Sequence, residues 1–484
     1  MTEACPRFKI PHRTTIKRDI EDVYERAVLF LRNELKGISW CSLTTDNWTD
    51  GMNNRNYLGV TLHYVQQFKQ LSCVIGLVQM EESHSSVNLA KTLESVLEFW
   101  GINKDRITTC VTDNAANIVK AVDLLIGKEK HVGCFAHTLN LTVNDTISDV
   151  TEFAVLLKKV KDIISYFHKS NIAAAKLEKL QREQGNAVLK LKQDVVTRWN
   201  STYLMVTRFL QLKDPLSIVL QNVTDGPDMI LGSELKILED VQKVLKPFFT
   251  VTMEISAEKE TTISKVIPLV GLMATALRNV IPLTPIGSAL KKAAFLNMDK
   301  RFSKNEKTLS HAVATLLDPR FKKVDFKSAP CCAAAINFVN GELRKADAEL
   351  ARAVAIQPTV TSEGNDIDTD DLWANRRVSL TLNKNCTTGS ANGLHTSLAV
   401  YLEAPVIPHD QDPLKIWESL KSNNASLASL AIKFLTSPAT SVPAERLFSK
   451  AGLTLCKKRT LIKPQHLEKL MILQSLPMEV LMRL

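Results

Sequence analysis

Apolar positions change their spacing twice along this chain. Over residues 20–36, Val23, Ala27, Phe30 and Leu31 recur three and four apart, which predicts a helix with one buried stripe. Three strand-length runs follow at 39–45, 57–65 and 71–79, and the Asp50-Gly51 and Asn53-Asn54 pairs supply turn chemistry between the first two. The spacing then returns to helical at 87–100, where Leu89, Leu93, Val96, Leu97 and Trp100 share a face. A fourth strand at 106–112, a helix at 114–126 and a fifth short strand at 131–136, feeding a helix from His137, complete this region. Consecutive strands with short links suit an antiparallel meander, and the helical crossover before the fourth strand suits a parallel return. The fold class predicted is mixed α/β.

Past residue 150 the two-residue alternation disappears. Helices are expected at 151–168, 172–183, 199–211, 233–256, 263–280, 288–302 and 332–353, among Pro215, Pro227, Pro247, Pro268 and Pro282. Residues 357–392 break the pattern with an acidic, polar run followed by a small-residue one, and read as a flexible linker or surface loop. Helical spacing resumes at 412–424, 425–436, 443–451 and 464–476. No internal repeat is found.

Composition narrows the class. A chain of 484 residues, 45% apolar and 23% charged, fits two to four folded units of a soluble protein. The net charge of +10 permits a polyanionic partner without demanding one. Nine scattered cysteines include no Cys-x-x-Cys pair, so a reducing compartment is expected and a structural zinc is not. The first 30 residues carry interspersed charges and no apolar core, unlike a signal peptide. The longest apolar segment, 266–277, contains Pro268 and is far short of the roughly 20 residues of a membrane span. These features predict a soluble intracellular protein with no membrane partner.

Several polar residues carry candidate chemistry. Asp46 closes the first predicted strand, in Leu-Thr-Thr-Asp-Asn-Trp-Thr-Asp, and Asp113 closes the fourth. If those strands are neighbours, their ends lie side by side, roughly 5 Å apart, and both carboxylates reach one divalent ion. Oxygen ligands suit Mg²⁺ or Mn²⁺, and two such metal ions about 4 Å apart serve phosphodiester cleavage. Each acid also has a plain role: Asp46-Asn47 is turn chemistry, and Asp113 suits the N-cap of the helix at 114. Glu445, just after Pro443, suits the same metal or simply the dipole of a helix beginning there. Cys134 and His137 have the spacing of two metal ligands, but zinc wants four; Cys134 is expected to be buried, and His137 to cap the helix or face a cleft. Arg198 and Trp199 together suit either packing or a phosphate contact beside a stacked base.

Taken in order, Thr-Thr-Asp-Asn-Trp-Thr, Thr-Asp-Asn-Ala-Ala-Asn, Cys-Phe-Ala-His-Thr-Leu-Asn-Leu, Thr-Arg-Trp-Asn-Ser-Thr-Tyr and Pro-Ala-Thr-Ser-Val-Pro-Ala-Glu-Arg-Leu-Phe-Ser resemble the hAT (hobo/Activator/Tam3) transposase superfamily. The likeness spans nearly the whole chain and is nearest to the animal BED-zinc-finger branch. It implies a ribonuclease-H-like mixed sheet interrupted by a large all-helical insertion, with a helical C-terminal dimerisation segment. The boundaries implied are a lead-in at 1–37, the first part of the core at 38–205, the insertion at 206–395, and at 396–484 the dimerisation region that completes the core. Asp46, Asp113 and Glu445 match the catalytic, metal-binding carboxylates. His137 matches a histidine near the scissile phosphate, and Trp199, beside Arg198, the ring that stacks on a flipped base. The partners implied are DNA and a second copy, in a homodimer or higher homo-oligomer through 412–476, with Mg²⁺ or Mn²⁺ and without a small-molecule substrate. The N-terminal BED finger usual in that branch has no counterpart in this sequence. Three functions are therefore carried forward: a transposase-derived nuclear protein with a retained site, an active transposase, and a non-catalytic transcription or chromatin regulator.

Overall fold

The computed structural model describes residues 12–195, 198–256, 260–356, 393–455 and 462–484. Helix α1 (Arg13–Lys36) leads into strands β1 (Cys41–Asp50), β2 (Arg55–Gln66) and β3 (Lys69–Met80). Then come α2 (Ser86–Trp100), β4 (Ile107–Thr112), α3 (Ala116–Ile126) and β5 (His131–Gly133). A long helical stretch follows: α4 (Phe135–Ser148), α5 (Thr151–Lys169), α6 (Asn171–Glu183), α7 (Trp199–Gln211), α8 (Lys213–Gln221), α9 (Gly232–Ile255), α10 (Val266–Asn279), α11 (Pro285–Phe302), α12 (Leu309–Leu317) and α13 (Ala329–Ile356). The linker expected at 357–392 lies outside the described residues. The chain ends in α14 (Thr396–Glu403), α15 (Pro413–Leu420), α16 (Ala425–Leu435), α17 (Val442–Thr454), α18 (Pro464–Ser475) and α19 (Met478–Leu481).

The five strands form one mixed sheet in the order β3-β2-β1-β4-β5. β1, β2 and β3 are the antiparallel meander, and β4 returns parallel to β1. Both connections follow the sequence expectation, because the turn dipeptides permit a hairpin and α2 spans the crossover. Gly76 of β3 faces Val96 of α2, whereas Gly59 of β2 faces Leu447 and Phe448 of α17. Gly59 pairs with Leu77 and Gly76 with Val60, so the two glycines point to opposite sides. The sheet is therefore covered by α2 on one face and by the C-terminal α17 on the other. α18 takes the open edge of β3, where Glu468 and Ser475 accept from the backbone N–H groups of Leu77 and Val74.

Two compact units result. One comprises 1–132, 259–267 and 306–484; the other comprises 133–258 and 268–305. The second unit thus begins at Gly133, earlier than the 205/206 boundary implied by resemblance, since α4, α7, α9 and α11 pack against one another. The first unit holds two apolar cores, one around the sheet and one joining α12, α13, α14, α15 and α16. α12 has no counterpart among the expected helices. Residues Ser310 to Leu317 are all buried, and a helix enclosed on every side has no polar face to mark its period. Among the described residues, no helix is long and apolar enough to cross a membrane.

Candidate functional site

Asp46 is not a turn residue. β1 runs on to Asp50, and Asp46 sits within it, paired across the hairpin with Gly59. The turn falls four residues later. There Asp50 accepts from the Met52 N–H (3.0 Å) and the Asn53 side-chain amide (2.6 Å), and Asn54 takes a left-handed φ of 51°. Aspartate is disfavoured inside strands, and here, among the described residues, its carboxylate accepts only from the N–H of the next residue, Asn47, at 2.8 Å. The plain reading of Asp113 changes as well. The N-cap of α3 is Ala115, not Asp113. Asp113 accepts from the Ala115 N–H at 3.1 Å, in a turn where Asn114 has φ 71°.

Register brings the two acids level. β1 and β4 are paired at Leu43–Cys110 and Thr44–Val111. Two residues further along both strands stand Asp46 and Asp113, the latter one step past the end of β4. Neighbouring strands lie about 4.8 Å apart. Paired residues also share a face, so Asp46 points to the side where a Cβ on Gly59 would meet α17. Glu445 lies in the first turn of that helix. Ser437, in the link before it, is bonded to Ser42 of β1 (2.9 Å) and Thr109 of β4 (2.8 Å). The link that delivers Glu445 is thus fastened across β1, which carries Asp46, and β4, which leads into Asp113. Trp48, two residues past Asp46 on the same face, stacks between Tyr57 and Phe448 and holds α17 down.

The electrostatics reflect this arrangement. Burial raises the Asp46 carboxyl to about 7, the charges of Asp113 and Glu445 push in the same direction, and the Asn47 N–H opposes them. On the same face, His63 accepts or donates to the Thr44 hydroxyl at 3.1 Å, and burial lowers its pKa to about 3, so it stays neutral. Three carboxylates offer a donor set that fits Mg²⁺ or Mn²⁺. They are related by register and by mutual field rather than drawn into a cage: among the described residues, no three His, Cys, Asp or Glu side chains are gathered closely enough to hold a metal ion.

At Gly59 the sheet and α17 come into close contact. A Cβ there would lie 2.6 Å from Phe448 Cε1 and 3.1 Å from Leu447 Cδ2. Gly59→Ala should therefore cost roughly 1–2 kcal/mol by urea denaturation, overpacking outweighing the gain from a stiffer unfolded chain. Pairing it with Phe448→Leu should recover most of that loss; strictly additive effects would remove Phe448 as the obstacle.

The other three candidates belong to the second unit. His137 is half-buried in the first turn of α4. It is not the cap: Cys134, buried, accepts from the His137 N–H through its sulfur at 3.4 Å. Arg198 and Trp199 part company. Arg198 is exposed at the N-cap of α7, whereas Trp199 is 3% exposed and meets Phe248 edge-on at 6.5 Å. Trp199 is a core residue in this conformation, and a base reaches its face only if α7 opens.

Comparisons with known proteins agree with the fold. A model described as the ZBED1 RNase-like domain matches residues 44–133, and one described as the ZBED1 RNase-like helical domain matches 132–244. A third, the hAT family C-terminal dimerisation region, matches 397–476. Zinc finger BED domain-containing protein 4 of Homo sapiens is 25% identical over 98% of this chain and 41% of its own length. Putative AC transposase of Zea mays is 28% identical over 66% of this chain and 41% of its own. Putative transcriptional regulator tpeD of Talaromyces stipitatus is 24% identical over 98% of this chain and 58% of its own. The chain thus spans between about two fifths and three fifths of the length of these relatives.

Proposed function

From the premise that this chain belongs to the hAT family of transposases and transposase-derived proteins, we propose a nuclear, DNA-binding protein that dimerises through its C-terminal region and retains a metal site of three acids. The ribonuclease-H-like core is the sheet with its C-terminal helices, and the second compact unit is the helical insertion. The observation that carries this reading is Asp46, an acid held inside a strand, level with Asp113 and under the helix of Glu445. Among the described residues no turn, cap or ion pair accounts for an acid at that position, and local rules fail most often where function overrides them.

Asp46 and Asp113 would hold the ion from the sheet, and Glu445 would close over it from α17. When bound, such an ion would supply Lewis-acid polarisation of a phosphodiester and a lowered pKa for an attacking water or 3′-hydroxyl. On the second unit, exposed Arg198 would contact phosphate, His137 would contact the same DNA, and Trp199 would serve as a stacking ring only after exposure. Two further readings have support in relatives' names, an active transposase and a transcriptional regulator. Nicking of supercoiled plasmid in Mn²⁺ separates them. Wild-type nicking abolished by Asp113→Asn favours the transposase; Mn²⁺ binding without nicking favours a retained, inactive site; no Mn²⁺ binding at all defeats the metal reading.

Dimerisation is tested by mass. Light scattering should give about twice the chain mass of 53.9 kDa, and a monomer at micromolar concentration would overturn the assignment.

A further inference from the structure

The turn between α10 and α11 in the second unit exposes large apolar side chains. Ile281 and Leu283 are 79% and 74% exposed, and Leu272 and Leu296 on the flanking helices are 62% and 63% exposed. Scattered exposed leucines need no explanation, but a contiguous group does.

This turn is rigid. Asp240 of α9, fully buried, accepts from the Leu283 N–H (2.9 Å) and from the N–H and hydroxyl of Thr284 (2.7 Å each). Thr284 in turn caps α11 through the Gly287 N–H at 3.0 Å, and a Cβ on Gly287 would lie 2.6 Å from the Asp240 carboxylate. At the other end, Lys291 donates to the carbonyls of Arg278 (2.8 Å) and Val280 (2.7 Å). A buried carboxylate and a lysine hold the turn so that Ile281 and Leu283 project into water.

Two apolar grooves flank the projection. One, of about 420 Å³, runs between α9 and α10 past Leu272, Met273 and Val280. The other, of about 460 Å³, lies along α11 past Pro282, Phe295 and Leu296. Lys246 lines the first, beside Lys243, which lies 3.9 Å from Asp240, and Lys292 the second, beside the turn-holding Lys291; neither groove has an acidic residue in its lining.

Apolar floors with cationic rims suit one kind of occupant. Duplex DNA would satisfy the lysines but leave Ile281 and Leu283 in water. A second copy meeting the same patch across a two-fold axis would set lysines against lysines. We propose that this surface docks an acidic amphipathic helix of a partner protein, whose apolar stripe at i, i+3/i+4 and i+7 fills the grooves while its Asp and Glu residues meet the lysines.

The probe is a fluorescein-labelled peptide of about 16 residues, with Leu and Phe on one helical face and Asp and Glu elsewhere. Its scrambled isomer is the control. Fluorescence anisotropy should show saturable binding of the amphipathic peptide to the full chain, weakened at least tenfold, or about 1.4 kcal/mol, by Ile281→Ser with Leu283→Ser. Both side chains are exposed, so the melting temperature of that variant should match wild type. Lys246→Glu with Lys292→Glu should weaken binding several-fold and flatten its salt dependence. Equal binding of the scrambled peptide, no binding to wild type, or indifference to the serine substitutions would each overturn the proposal. So would a duplex DNA complex that depends on these lysines but not on Ile281 and Leu283, or self-association that the serine variant abolishes.

Discussion

Asp46→Asn is expected to stabilise the chain in EDTA at pH 8 by as much as about 4 kcal/mol, while abolishing stabilisation by Mn²⁺. The sign follows from the raised pKa. The Asp46 carboxyl titrates near 7 in the fold and near 3.8 in the unfolded chain. Between those values the folded state binds the extra proton, so the cost of ionising Asp46 grows as pH rises from about 4 and is complete above about 7. Wild type and Asp46→Asn should therefore differ little at pH 4 and most at pH 8. Asparagine keeps an acceptor for the Asn47 N–H, so the comparison isolates the charge. Mn²⁺ should narrow the gap, adding about 2.7 kcal/mol to wild type at a hundred times its Kd and about 4.1 kcal/mol at a thousand times, and nothing to the variant. Binding should also release a proton and weaken below pH 7, which calorimetry in two buffers of different ionisation enthalpy would detect. A variant less stable than wild type at pH 8, or a Mn²⁺ shift that survives the substitution, would remove Asp46 from the site.

Much of the sheet was legible in the sequence, and the reasons are local. Turn dipeptides marked the β1–β2 hairpin, and a helix-length segment before β4 required a crossover. The strand end was misplaced because Asp-Asn-Trp-Thr-Asp looks like turn chemistry throughout. Pairing decides otherwise: Asp46 to Asp50 are carried on by Gly59 to Arg55 of β2, and the turn falls at 51–54. That same error supplied the plain alternative for Asp46, so correcting the strand also removes the alternative. Orientation was beyond reach. Adjacent letters do not say that Arg198 faces water and Trp199 the core, or that Cys134 rather than His137 caps α4. Nor does spacing indicate that Gly59 lets Phe448 approach the sheet, since the two lie at opposite ends of the chain.

Arg320→Ala should cost about 3–5 kcal/mol, because it strands a buried carboxylate. Asp318 is fully buried and Arg320 nearly so. Arg320 Nε and one terminal nitrogen donate to the two Asp318 oxygens at 3.0 and 2.7 Å, and the Arg320 N–H adds a third bond at 3.0 Å. Ser264 donates to the same carboxylate at 2.7 Å, and the guanidinium continues to Thr261 at 3.2 Å and to the His409 carbonyl at 3.5 Å. Around this pair the segment after α12 anchors the start of the C-terminal region. Lys322, at a left-handed φ of 50°, donates to the carbonyls of Tyr401 (2.7 Å), Ala404 (2.5 Å) and Pro405 (3.3 Å), and Trp417 donates to the Leu317 carbonyl at 2.8 Å. This lies in the second apolar core of the first unit, not the one around the sheet. Hydrogen exchange in the alanine variant should therefore quicken first in α12, α14 and α15, with β1 to β3 still protected. Replacing both charges, Asp318→Leu with Arg320→Met, should leave the chain more stable than Arg320→Ala alone, since no ion is then buried without a partner. If the double variant is the weaker of the two, the pair is worth more than its desolvation costs. If Arg320→Ala lies within about 1 kcal/mol of wild type, the latch is not what holds residues 396–420 in place, and α14 and α15 depend on Tyr401 and Trp417 packing instead.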